Sequence, residues 1–164
     1  MRFDEFRGEP PNIDMLVKAE SDNGPIVICI EAKVNETFGE TVKTVLLNAK
    51  KRLEKKPKSK GVERIEGFRK TFRLDLDRSE VQDLRYHLLT LTAATFAEAR
   101  RLSAKCAIAV VHEFITPLSS KECRDRSARY LDDFLRIDAK STAGEPAFHV
   151  FGRIAHFERR LISE

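Results

Sequence analysis

The hydrophobic and polar positions along the chain predict a mixed domain built around one buried strand. Residues 26–30 are five consecutive apolar side chains, mostly β-branched. An unbroken run of this kind is typical of a strand buried on both faces, here extending over residues 26–34. Residues 13–19 predict a second strand, and Asn23-Gly24 between the two runs is a strong turn signal. The two strands are therefore expected to form an antiparallel hairpin.

Longer segments with apolar residues at three- and four-residue steps predict the helices. They cover residues 40–56, 79–102 and 119–137. Residues 58–67 are mostly polar and predict an irregular connection. After the second helix, the apolar run at residues 106–111 predicts a strand parallel to the inner hairpin strand, and residues 147–154 predict an edge strand. The order of elements indicates an α/β fold.

Composition limits the class of protein. A chain of 164 residues with 41% hydrophobic content is large enough for one continuous core, so we expect a single domain over residues 1–164. The first ten residues are too charged for a signal peptide, and no apolar run approaches the roughly 18 residues of a membrane span. We therefore expect a cytoplasmic protein with no membrane contact. Its three cysteines lack C-x-x-C spacing and indicate neither a disulfide framework nor a zinc site.

Charged side chains cluster where the predicted hairpin ends. Glu31 and Lys33 follow the apolar run, and residues two apart on a strand point to the same side. Asp14 opens the other strand, and antiparallel pairing brings it to the same end of the sheet. Two carboxylates and a lysine placed in this way can hold a hard cation and a water. The alternative is an ordinary ion pair between Glu31 and Lys33 at the sheet surface.

The order of Asp14, a hairpin and then Glu31-Ala32-Lys33 resembles the PD-(D/E)XK nuclease superfamily. Three further segments make the chain more similar to an uncharacterised family within that superfamily. They are residues 30–39, 83–90 and 110–114. The resemblance implies a restriction-endonuclease-like fold, which is a mixed β-sheet with a central hairpin flanked by helices.

The resemblance also implies hydrolysis of phosphodiester bonds in nucleic acid, with DNA as the expected substrate and Mg²⁺ or Mn²⁺ as the cofactor. The metal ligands would be the carboxylates of Asp14 and Glu31 and the backbone carbonyl of Ala32, because hard oxygen donors suit Mg²⁺ better than zinc. Lys33 would orient or deprotonate the attacking water and stabilise negative charge on the phosphate.

Gln82 and Tyr86 are similar to the Q-x-x-x-Y element of the RecB-like branch of the superfamily. The resemblance implies that both side chains face the active site or the nucleic acid. Arg85 shares their helical face by spacing and is a candidate nucleic-acid contact. Structural roles are the alternative. Ser79 and Gln82 have the spacing of a capping box, and Tyr86 is a polar-tipped aromatic of the kind that often lies at the edge of a core.

The N-terminal part of the chain departs from the superfamily pattern. Members usually begin with a helix that carries a glutamate, followed by a strand that precedes the aspartate strand. Only residues 1–13 are available for both here, with Glu5 and Glu9 as candidates for the missing acid. A trimmed or partial chain and a partner chain that fills the gap, such as a second copy in a homodimer, are the alternatives.

Basic residues are concentrated in one segment. Between residues 48 and 60, seven basic residues and one glutamate give a net charge of +6, against +4 for the whole chain. They are Lys50, Lys51, Arg52, Lys55, Lys56, Lys58 and Lys60. The segment is either a solvated helix end or a surface that binds nucleic-acid phosphates.

Three functions are consistent with these features. The first is a metal-dependent nuclease, and the second is a catalytically degenerate nucleic-acid-binding module on the same fold. The third is a regulatory or assembly protein without enzymatic activity. Because a fold does not by itself imply its chemistry, metal binding separates the first from the others. Salt-sensitive nucleic-acid binding separates the second from the third.

Replacing Lys55, Lys56 and Lys58 by glutamine tests the basic segment. If these side chains contact phosphates, affinity falls, and the slope of log affinity against log salt flattens by about one unit per lost contact. Fluorescence anisotropy with a duplex oligonucleotide at several salt concentrations measures both quantities. Unchanged binding at low salt would show that the segment is only solvated.

Overall fold

The computed structural model describes residues 13–136 and the backbone of residues 147–157. Four strands and five helices lie in these ranges. They are β1 (Met15–Ser21), β2 (Gly24–Lys33), α1 (Val42–Lys55), α2 (Gly61–Phe72), α3 (Ser79–Gln82), α4 (Tyr86–Arg101), β3 (Cys106–Ile115), α5 (Lys121–Arg136) and β4 (Ala147–Phe157). Glu5 and Glu9, the candidates for the missing acid, lie outside the described residues.

The strands form one mixed sheet, in the order β1-β2-β3-β4. β1 pairs antiparallel with β2 through a turn at Gly24, whose φ of +110° favours glycine. β3 runs parallel to β2, and β4 runs parallel to β3 at the sheet edge. The predicted hairpin, parallel strand and edge strand are therefore confirmed. The hairpin, however, forms one side of the described sheet and not its centre.

Burial along β2 alternates, which corrects the prediction of a strand buried on both faces. Val27 and Cys29 are buried, whereas Ile28 and Ile30 are half-buried. Helix α4 packs against β2 and β3, and its Thr95 side chain lies beside the Cys29 thiol. The helix thus covers the face that carries Cys29, and strand parity places Glu31 and Lys33 on that same covered face.

The prediction of an irregular polar connection over residues 58–67 is wrong, because helix α2 occupies most of this segment. Its apolar residues recur at three- and four-residue steps, and Ile65, Phe68 and Phe72 are buried. The Phe68 ring lies 5.6 Å from the Tyr86 ring, centroid to centroid. The intervening charged residues obscured this periodicity in the sequence.

The helix predicted over residues 79–102 is interrupted. Arg85 is extended, with φ −77° and ψ 119°, and it forms an isolated antiparallel bridge with Thr41. The break corrects the prediction that Gln82, Arg85 and Tyr86 share one helical face, since Gln82 belongs to α3 and Tyr86 begins α4. No helix in the described part of the chain is long and apolar enough to cross a membrane.

The predicted capping box is also wrong. Ser79 lies inside α3, and the capping residue Arg78 makes no side-chain cap hydrogen bond. Gln82 instead uses its amide nitrogen to donate to the carbonyl of Leu76 at 3.0 Å. This contact fixes the short turn that connects α2 to α3.

An Ile65→Ala substitution tests whether α2 is an integral part of the core. Ile65 is only 1% exposed, so its truncation should lower the free energy of unfolding by about 2–5 kcal/mol. Urea denaturation measures this change. The exposed Lys70→Ala variant on the same helix is the control and should change stability by less than about 0.5 kcal/mol. Equal stabilities for the two variants would contradict the packing of α2.

Candidate functional site

The C-terminal end of β2 carries a buried ion pair. Glu31 is 5% exposed and Lys33 is 6% exposed, and their Oε1 and Nζ atoms lie 2.6 Å apart. The contact confirms that the two side chains point to the same side of the strand. It also shows that the pair is buried beneath the helices and not exposed at the sheet surface. Glu36, in the following loop, lies 3.9 Å from the Lys33 ammonium.

His87 is a third member of this group and was not predicted from the sequence. Its Nε2 atom lies 3.1 Å from Glu31 Oε1, and its side chain is 36% exposed. His87 belongs to the first turn of α4, four residues before Leu91 and eight before Thr95. Leu91 and Thr95 are both buried, and Thr95 contacts β2. Extending this inward stripe back by one turn would have identified His87.

The surroundings of Glu31 favour its charged form. Burial by itself raises the pKa of the Glu31 carboxyl. Hydrogen bonds from His87 and Lys33, together with the electrostatic attraction of the same two groups, outweigh that effect, so the pKa of Glu31 lies below its ordinary value. The carboxylate is therefore ionised at neutral pH although it is almost inaccessible to water.

Asp14 reaches the same strand end from the other side of the hairpin. Its Oδ2 atom accepts a hydrogen bond from the backbone N–H of Ala32 at 2.7 Å. Met15 pairs with Ile30, so Asp14 follows in register opposite Glu31. The predicted convergence of Asp14, Glu31 and Lys33 at one end of the sheet is confirmed, with the Asp14 carboxylate exposed and the other two side chains buried.

A family model described as a domain of unknown function, DUF6946, matches residues 1–146. The chain belongs to the DUF6946 family. No curated protein and no solved structure matches it. Within this DUF6946 domain, functional assignment therefore depends on the geometry and chemistry of the chain's own residues.

Tyr86 and Gln82 were also predicted to line the site, but the structure gives them other contacts. The Tyr86 ring packs against Phe68, at the edge of the core. Gln82 lines a groove beside α1, together with Lys43 and Lys50. These positions favour the structural interpretation of Tyr86 and place Gln82 beside the basic helix.

Arg85 has contacts within the DUF6946 domain itself. One guanidinium nitrogen, Nη1, donates to the carbonyl of Gly39 at 2.8 Å. The guanidinium carbon lies 3.7 Å from the centroid of the Tyr130 ring, within the range of a cation–π contact. Arg85 therefore connects the loop after β2 to helix α5.

The basic segment forms an exposed surface at the C-terminal half of α1, which we call the basic surface. It comprises Lys50, Lys51, Arg52, Lys55, Lys56 and Lys58. Asn48 and four of these residues line a shallow groove. Within the described ranges, none of the six takes part in an ion pair, whereas Lys60 pairs with Glu63 and Arg69 pairs with Glu66 on α2. The charge of the basic surface is thus not neutralised by ion pairs within the described part of the chain.

The contacts of Glu31 predict an acid-sensitive contribution to stability. Because its pKa in the folded protein lies below that in the unfolded chain, the contribution is present above about pH 4.3 and is lost as pH falls through the folded pKa. The free energy of unfolding of the wild type should therefore fall more steeply between about pH 5 and pH 3 than that of Glu31→Gln. Urea denaturation at each pH measures both slopes.

The control for this experiment is Glu63→Gln, which removes an exposed carboxylate paired with Lys60. Its slope should follow that of the wild type, since exposed ion pairs contribute only about 0–1 kcal/mol. Identical slopes for the wild type and Glu31→Gln would contradict the assignment of Glu31 as an ionised, buried carboxylate.

Proposed function

We propose that this chain is a metal-dependent nuclease that hydrolyses phosphodiester bonds in nucleic acid, with DNA as the expected substrate. The observation that carries the proposal is the group at the end of β2. The ionised Glu31 is buried against Lys33, and the Asp14 carboxylate is bound to the peptide between them. Metal-assisted hydrolysis of a phosphodiester uses negative ligands for a cation next to a positive group for the phosphate, and this strand end offers both.

The donor set fits Mg²⁺ or Mn²⁺. Two carboxylates and the carbonyl of Ala32 are hard oxygen donors, and Mg²⁺ is usually held by one or two carboxylates together with waters and substrate phosphates. Within residues 13–136, no group of three acidic, histidine or cysteine side chains is placed to hold a metal, so a site here would depend on waters and phosphate oxygens. A cation bound there supplies charge neutralisation of the phosphate and a more acidic water.

The side chains of the chain have distinct roles in this proposal. Lys33 Nζ lies 2.6 Å from Glu31, so a phosphate bound beside Glu31 would lie within range of its positive charge. The Nε2 atom of His87 contacts the Glu31 carboxylate, and the His87 side chain is the more exposed of the two. The basic surface of α1 binds the phosphate backbone at a distance from the reaction, where its affinity would decrease with salt.

A nucleic-acid-binding module without cleavage activity is the second candidate. The observation that favours it is the basic surface itself, whose six cationic side chains lack ion-pair partners among the described residues. In that case Glu31 and Lys33 would form a purely structural buried pair, since a fold need not retain its chemistry.

A cleavage assay with Asp14→Asn and Glu31→Gln variants tests the proposal. Supercoiled plasmid DNA is incubated with Mg²⁺ or Mn²⁺, and single-turnover rates are measured. Each substitution should slow cleavage by at least about 10²-fold, because it removes a charge that acts on the reacting phosphate. Asp22→Asn is the matched control, since Asp22 lies in the turn at the opposite end of the same hairpin.

The outcomes separate the candidates. Cleavage by the wild type that is lost in both site variants but kept in Asp22→Asn supports the nuclease. Salt-sensitive DNA binding without cleavage supports the binding module instead. Cleavage that persists in both site variants would refute the assignment of the site.

A further inference from the structure

The loop that leaves the site returns to the helix that carries His87. The backbone N–H of Val42 donates to the carbonyl of Leu84 at 2.8 Å, and the N–H of Tyr86 donates to the carbonyl of Glu40 at 3.1 Å. These bonds join residues 40–42 to residues 84–86, and we call this paired segment the clasp. The two donors to Glu31 are Lys33, which precedes the loop, and His87, which follows the clasp. Their relative position therefore depends on this pairing.

The Arg85 side chain makes two further contacts next to the clasp. Its Nη1 atom donates to Gly39, whose φ of +69° marks the sharp bend of the loop. Its guanidinium carbon lies over the Tyr130 ring of α5, and its buried Nε atom has no hydrogen-bond partner among the described residues. The two contacts hold the guanidinium group between the Gly39 carbonyl and the Tyr130 ring.

Helix α5 holds the same loop at two further points. Asn35 Oδ1 accepts a hydrogen bond from the backbone N–H of Ser120 at 2.7 Å, and the Ser127 hydroxyl donates to the carbonyl of Glu36 at 3.2 Å. Together with the stacking on Tyr130, these contacts fix the loop between the sheet, α4 and α5. The loop is thus held along most of its length.

We propose that Arg85 is a positioning residue, which aligns the Lys33 and His87 donors on Glu31 by locking the clasp against Tyr130. This role rests on the proposed nuclease function and replaces the predicted role of Arg85 as a nucleic-acid contact. The two roles require different properties. A phosphate contact requires only a positive charge, whereas the clasp requires a planar group that stacks and donates a hydrogen bond at the same time.

Arg85→Lys separates the two roles because it keeps the charge and removes the planar fork. If Arg85 positions the site, Arg85→Lys and Arg85→Met should both slow single-turnover cleavage at saturating DNA by about 10²-fold, the scale of a small misplacement of reacting groups. The dissociation constant for DNA and its salt slope should stay at the wild-type values. A phosphate contact would give the opposite pattern, with near-wild-type behaviour for Arg85→Lys and a flatter salt slope for Arg85→Met.

Substitutions of Tyr130 test the stacking partner. Tyr130→Phe keeps an aromatic face and should retain the wild-type rate, whereas Tyr130→Leu should slow cleavage, though by no more than Arg85→Met, which also loses the hydrogen bond to Gly39. The combined Arg85→Met and Tyr130→Leu variant should be no slower than Arg85→Met alone, since Arg85→Met already removes the contact with Tyr130. Arg129→Met, at an exposed arginine on the same helix, is the control for general effects on α5.

A readout in the free protein makes the test independent of activity. The imidazole signals of His87, assigned in a long-range ¹H–¹⁵N spectrum by comparison with His87→Gln, report its hydrogen bond to Glu31. They should shift in Arg85→Lys, Arg85→Met and Tyr130→Leu and stay unchanged in Tyr130→Phe and Arg129→Met. Thermal unfolding of each variant identifies any that fails to fold.

The two readouts distinguish failure of this inference from failure of the proposed function. Shifted His87 signals in a protein that does not cleave nucleic acid would support the clasp and refute the nuclease. Cleavage by the wild type with unshifted signals and a normal rate in Arg85→Lys would refute the positioning role and leave the nuclease in place.

Discussion

The structure depends on the burial of one ionised carboxylate. Glu31 is 5% exposed, and a buried charge of this kind is tolerated only when charged or polar donors surround it. Lys33 supplies one donor from the same strand and His87 supplies the other from the first turn of α4. Both donors contact the same oxygen, Oε1, so the end of β2 and the first turn of α4 meet at this carboxylate.

The charged side chains of α1 and α2 differ in whether they form ion pairs. On α2, exposed acidic and basic side chains pair with each other, as in Lys60 with Glu63 and Arg69 with Glu66. On α1, the basic surface has no such partners among the described residues. Such a concentration of one sign of charge raises self-repulsion in the folded domain. The nucleic-acid partner that we propose would neutralise this charge.

Part of this arrangement follows directly from the sequence. The continuous apolar run and the Asn23-Gly24 turn determined the hairpin, and strand parity then placed Glu31 and Lys33 on one side. The charged residues of α2 concealed its apolar stripe. The break at Arg85 was not predictable from periodicity, because it comes from pairing with Thr41, a contact between residues 44 positions apart in the sequence. His87 continues the inward stripe of Leu91 and Thr95 and could have been found from that periodicity. Its partner Glu31 could not, because it lies on another element.

Anomalous scattering from crystals soaked in Mn²⁺ tests the central claim most directly. The account predicts a peak at the end of β2, within coordination distance of the Asp14 and Glu31 carboxylates and the Ala32 carbonyl, a distance of about 2.0–2.6 Å for hard cations. It also predicts that this peak is absent in Asp14→Asn crystals grown under the same conditions. A wild-type protein without such a peak, in which Glu31 remains bound only to Lys33 and His87, would contradict a metal-dependent site.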